Sequence, residues 1–277
     1  MKRNAIARIV IYSIVIFLLV ALLLAGLEAG TLAFHLSFGS GDYQTGSGSV
    51  SAGSVRNVKI EWASGDITIR TEETDAITFT EEGNFSNDQQ MAYSLSGDTL
   101  TIRYKKSGIH IGFFKQPEKN LVITVPSDWE CGTMEIEVAS AELRVENLTS
   151  ETLDLETTSG KCNFINCNTQ NMNVDAASGD ISYAGTMQTL DCDTASAKFT
   201  GVFSNVPSRM ELDCASGDYD ITLPEDAGFR VDMDALSGKF SSDFATTQAD
   251  GAYICGDGSC KIEFDGASGD ITIRKAS

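Results

Sequence analysis

The residue types capable of chemistry in this 277-residue chain recur at intervals instead of gathering in one cluster. Carboxylates come in pairs, Asp191 with Asp193, Glu211 with Asp213 and Asp232 with Asp234, five and three residues ahead of a serine. Stacked oxygens of this kind are ligands for hard cations such as Ca²⁺. The nonapeptide Gly/Asp repeat of calcium-binding β-rolls is absent, however, and the pattern reads as a solvated acidic face with no metal site. The serines themselves, Ser140, Ser159, Ser178, Ser196, Ser216, Ser237 and Ser268, would need a base to become nucleophiles. Only His35 and His110 are present, and neither stands at a repeating position. Two carboxylates cleave a glycoside only when they play different roles, and a regular column makes their surroundings alike. The expectation is a protein without catalysis and without a cofactor.

Seven cysteines include no CxxC pair, so neither a zinc ribbon nor a dithiol redox motif is indicated. Cys162, Cys192 and Cys214 fall on inward positions of the repeat and read as core fillers. Cys255 and Cys260 flank GDGS, a hairpin turn, and the spacing predicts two facing strands with the thiols close enough for a disulfide.

The element that positions these residues is a repeat. From Ser140 to Ser237 the serines are separated by 19, 19, 18, 20 and 21 residues, a period that signals a solenoid. Six and four residues before each serine the chain is apolar, as in Met210 and Leu212, and between and after them stand acids, so each segment reads as a strand with one wet face. After the serine the apolar face resumes three residues on, at Leu143, Cys162, Ile181, Phe199, Tyr219 and Phe240. That odd offset makes A-S-G a corner where the alternation slips by one. Glycine follows serine in four of these repeats but Ala141 and Ala197 in two, which reads as a demand for small size more than for a left-handed backbone.

Two residues past each serine the charge alternates: Glu142, Lys161, Asp180, Lys198, Asp218, Lys239. One coil per repeat would stack these side chains about 4.8 Å apart, each between opposite neighbours. Exposed pairs contribute about 0–1 kcal/mol each, so the ladder is expected to fix register more than to supply stability.

Ile9 to Leu27 is a run of 19 uncharged residues, IVIYSIVIFLLVALLLAGL, long enough to cross a bilayer. Lys2, Arg3 and Arg8 precede it, and from Glu28 onward 17 basic residues face 39 acidic ones. The expected layout is a cytoplasmic N-terminus at 1–8, one transmembrane helix at 9–27, a Gly/Ser-rich tether at 28–54 and an extracytoplasmic domain at 55–277 in the cell membrane. Such an acidic domain excludes nucleic acid as a partner. One basic and apolar stretch departs from the pattern, KKSGIHIGFFKQPEK. Its Ile109, His110, Ile111, Phe113 and Phe114 belong either to a cap or first coil, or to a loop that contacts a partner or the membrane.

The SGD and SGK corners, the strand NLVITVP at Asn120–Pro126 and the single N-terminal anchor resemble the bacterial putative-adhesin β-solenoid family. The resemblance covers 55–277 and implies a β-strand-repeat domain at the cell surface, with no catalytic residue to carry over. Departures at Ser96, within MAYSLSGDTLTIRY, and across the 31 residues between Ser237 and Ser268 point to hairpin caps at the ends. The fold expected is all-β, a single-chain β-solenoid of about 20-residue coils after one helix. The function expected is adhesion or envelope interaction with an unidentified surface ligand; a sensory ectodomain of an envelope-stress system is the alternative, and a polysaccharide-acting β-helix enzyme the least favoured.

Overall fold

A computed structural model describes residues 43–105 and 119–276, and the backbone of Phe34–His35 and His110–Ile111. The anchor at 9–27 and the side chains of 109–114 lie outside the described residues. Phe34–His35 pairs antiparallel with His110–Ile111 in a small unit of its own. Among the described residues no helix is long and apolar enough to cross a membrane.

The large unit is a stack of parallel rungs. Strand Asn57–Glu72 pairs with Glu130–Glu146, which pairs with Thr149–Phe203, an unbroken extended run holding the corners at Ser159, Ser178 and Ser196. Strands Arg209–Ser216 and Asp218–Leu223 then lie on the last turn of that run. The rung 209–223 shows how the repeat folds. Met210, Leu212 and Cys214 are buried before the corner, and Gly217, Tyr219, Ile221 and Leu223 are buried after it. The apolar face therefore moves from even to odd positions at Ala215–Ser216, and one linear sequence lines the same core on both sides of a bend. Inside, aromatic rings contact one another from rung to rung: Phe164, Tyr183 and Phe203 at 6.3 and 5.9 Å, and Phe199, Tyr219 and Phe264 at 6.4 and 5.7 Å, the last pair edge-to-face.

The serine corner is not the only bend. Asn147 and Asn166 adopt left-handed backbone, with φ of 58° and 54°, and the Asn166 amide donates to Asn147 Oδ1 at 2.7 Å. Asparagine tolerates this conformation and satisfies its neighbour's polar groups at the same time.

Both ends of the stack are closed by hairpins. Ala92–Ser96 and Thr99–Arg103 form one at the N-terminal end, in the segment that holds Ser96. Thr247–Ala249 and Ala252–Cys255 form one at the C-terminal end and pair with Phe229–Val231. At the C-terminal end the hairpin covers the outer ladder edge at Phe229–Val231. The tether expected at 28–54 requires correction in its second half: Gln44–Thr45 and Gly48–Ser51 are strands of the N-terminal cap, paired with 92–93 and 76–79. Glycine there serves packing, since a Cβ on Gly48 would lie 2.7 Å from the Phe79 ring.

The order of rungs at the C-terminal end also departs from expectation. Rung 229–242 does not rest on rung 209–223. Strands Cys260–Ser268 and Ile271–Lys275 lie between them, in parallel register with both.

Candidate functional site: the corner groove

The serine corners stack into a column. Ser64 pairs with Ser140 and Ser140 with Ser159, and at the other end Ser216 and Ser237 both pair with Ser268. Beside them runs an open groove of about 960 Å³, lined by Ser196, Ser216, Ser237 and Ser268, by the small residues that follow them, and by Asp180, Lys198, Asp218, Lys239 and Asp270.

Successive corners approach one another backbone to backbone along the groove. A Cβ on Gly179 would lie 2.3 Å from the carbonyl oxygen of Gly160, and one on Gly217 would lie 2.5 Å from that of Ala197. The expectation of size alone holds only for part of the column. Gly65, Gly160 and Gly179 have φ of 98°, 134° and 117°, the left-handed region that side chains avoid, whereas Ala141 and Ala197 do not. Two corner geometries therefore share one column.

The charge ladder needs a similar correction. Register pairs Glu142 with Lys161 and Lys198 with Asp218, so opposite charges neighbour one another at these steps. Lys239 does not follow Asp218, because Asp270 of the inserted rung stands between them. Asp218 Oδ1 accepts the Asp270 N–H at 3.1 Å, and Asp270 Oδ1 accepts the Lys239 N–H at 2.8 Å. At the opposite end Glu142 faces Asp66. These carboxylates act partly as acceptors for the backbone of the next corner, which charge counting does not reveal.

On the face preceding the corner, two acidic columns run side by side. Glu61, Glu137 and Glu156 are in register at one end, and Asp193, Asp213, Asp265 and Asp234 at the other. Cations serve the ends: Lys59 reaches Glu135 and Glu137 at 2.6 and 2.5 Å, and Arg230 reaches Asp232 at 2.7 Å. Arg209 reaches Glu211 at 2.7 Å, yet burial and the surrounding carboxylates push Asp193 up to about 6 and Asp213 up to about 7. Asp213 Oδ1 is sealed from solvent and accepts no hydrogen bond among the described residues. Among the described residues no group of three His, Cys, Asp or Glu side chains is arranged to hold a metal ion.

The disulfide expected between Cys255 and Cys260 is overturned. Cys255 pairs with Phe229 on one edge of its strand, and Cys260 pairs with the same residue on the other edge. A whole strand separates the two thiols, about twice the 4.8 Å strand spacing, and both are free. The GDGS turn links opposite sides of Phe229 instead of closing a hairpin. Cys162, Cys192 and Cys214 are buried in the core. Burial pushes the Cys162 thiol up to about 12 and drives that of Cys192 upward as well, which makes both poor nucleophiles.

Sequence reasoning missed a buried ion pair under the N-terminal cap. Lys119 is fully enclosed. Its Nζ lies 2.9 Å from Glu81 Oε2, donates to the carbonyls of Gln89 and Tyr104, and sits 4.1 Å from the centre of the Tyr104 ring. Burial holds its pKa below the usual lysine range, with Glu81 opposing that shift. The signal was available, since Lys119, Leu121, Ile123 and Val125 alternate inward along one strand.

A sheet of parallel rungs with slipped alternation, hairpin caps and one corner groove defines a solenoid-like β-repeat protein. The chain belongs to the Toastrack DUF4097 family, which matches residues 55–199. It is similar to three solved structures over most of its length. One is a putative adhesin from Bacteroides fragilis, with 16% identity, 86% of this chain and 98% of that chain covered, and a TM-score of 0.42. Another is a putative cell adhesion protein from Clostridium sporogenes, at 12%, 85%, 98% and 0.37 in the same order. A third is a putative lipid binding protein from Parabacteroides distasonis, at 14%, 86%, 98% and 0.36. No curated protein matches the sequence.

Proposed function

We propose that this protein is a membrane-anchored interaction module of the cell surface, an adhesin-type β-solenoid that binds an envelope or surface ligand without catalysis. The observation that carries the reading is the corner groove, where successive rungs offer hydroxyls, backbone and charges of both signs at positions that recur from rung to rung. Repeated equivalent positions suit recognition of an extended partner. Catalysis needs a few groups in unlike environments, and among the described side chains there is no histidine. The apolar run at 9–27 would hold the domain to the membrane, with the groove outside.

The test is retention of the full chain by isolated envelopes. Reversing two groove charges, Lys198→Asp with Lys239→Asp, should reduce retention, while Lys261→Asp on the acidic face should not. Equal retention of both variants and the parent would remove the groove from the function. Release into the medium of a chain lacking its first 30 or so residues would refute the anchor.

A further inference from the structure

The segment 260–275 occupies a slot that the rest of the chain defines twice over. Met210 pairs with Ile262 and Ile262 with Val231; Leu212 pairs with Phe264 and Phe264 with Met233; Tyr219 pairs with Ile271 and Ile271 with Phe240. Register is identical on both faces of the inserted rung. If 260–275 left, rung 229–242 could close onto rung 209–223 without slipping by a residue, keeping apolar side chains against apolar ones. Closure would also set Lys239 beside Asp218, where the inserted rung now presents Asp270. The 21-residue step from Ser216 to Ser237 fits that direct stacking as well as the other steps of the repeat do.

The departing segment has the opposite requirement. Ile262, Phe264, Ile271 and Ile273 are all 0% exposed, and they would be left in water. A slot with the same register and the same apolar partners is what they need. A second copy of this chain offers one. The connection at Gly256–Ser259 is suited to opening. It carries glycines at φ of 56° and 67° and it crosses the end of the strand at Gly228, where Cys260 N–H and the Ser259 hydroxyl both donate to the Gly228 carbonyl. Extended, four residues span up to about 14 Å, so two copies exchange with the openings of their slots face to face.

We infer that residues 260–275 form an exchangeable rung, and that the slot between rungs 209–223 and 229–242 accepts this segment from a second copy of the chain. The exchanged dimer repeats every contact of the closed monomer and changes only the connection, the condition under which swapping carries little energetic penalty.

The experiment uses two full-length variants, Asp218→Cys and Asp270→Cys, mixed, warmed briefly toward the unfolding midpoint, cooled and oxidised. The expected product is a cross-linked species of twice the chain mass, with the disulfide mapped between positions 218 and 270 of different copies and absent when either variant is left out. A chain carrying both substitutions should cross-link internally, and when oxidised before warming it should no longer exchange. Internal cross-linking of the double variant, with no intermolecular product in the mixture of single variants, would overturn the inference. So would failure of the double variant to cross-link at all, since that would contradict the register of the slot. Dimers joined between two copies of position 218 would indicate adventitious association and would also count against it.

Discussion

Lys119 Nζ lies 2.9 Å from Glu81 Oε2, and the two side chains are 0% and 3% exposed. A buried pair of this kind is costly to break on one side, because the remaining charge stays in a dry site. Lys119→Met should destabilise the N-terminal cap by about 3–5 kcal/mol. Combining it with Glu81→Gln, which keeps an acceptor for the Met91 N–H, should cost less than the two single changes added together. Urea unfolding of the three variants measures the coupling, and simple additivity would show that the pair does not act as a unit.

Asp193 and Asp213 give the acidic face a defined pH response. Their pKa values are raised to about 6 and about 7 in the fold, against about 3.9 for an unfolded aspartate. The folded state therefore holds protons that the unfolded chain has released. The stability this confers is complete below about pH 4 and is lost as pH rises through 6 to 7. Asp213→Asn should raise the melting temperature by about 2–4 °C at pH 8 and leave it nearly unchanged at pH 4. A difference independent of pH would mean that Asp213 does not titrate in this window.

The corner glycines are distinguishable by their surroundings. Gly179 has φ of 117° and faces the Gly160 carbonyl, whereas Gly97, at φ of 62° in a hairpin turn, has nothing within 4 Å of an added Cβ. Gly179→Ala should cost about 1–3 kcal/mol or more, and Gly97→Ala about 1 kcal/mol from backbone alone. Thermal melts of the two variants should differ accordingly, and equal losses would show that the corner relaxes freely.

Cys255 and Cys260 should behave as independent thiols. Cys260 is buried, with its pKa pushed up to about 12, and Cys255 is half-buried. In protein purified without reductant, alkylation should modify Cys255 in the native state and Cys260 only on unfolding. Modification of neither residue in denaturant until a reductant is added would demonstrate the disulfide that the register forbids.

Much of this architecture is written in the sequence, because its determinants are local. The 18–21-residue period, the alternation at Met210 and Leu212 and the slip at Ala215–Ser216 follow from side-chain size and polarity along one strand, and these specify a solenoid-like rung wherever it stacks. The hairpin around Ser96 was legible for the same reason. Rung order was not. Parallel in-register pairing makes rungs 229–242 and 260–275 nearly equivalent neighbours for rung 209–223, since each offers an acid, an apolar residue and a serine at matching positions. No local pattern ranks them, and the choice is settled by which arrangement lets the chain cross Gly228, bury Phe264 against Tyr219 and pair the outer edge at Phe229–Val231 with the hairpin ending at Cys255. The separation of Cys255 from Cys260 and the break in the charge ladder at Asp270 both follow from that one tertiary decision.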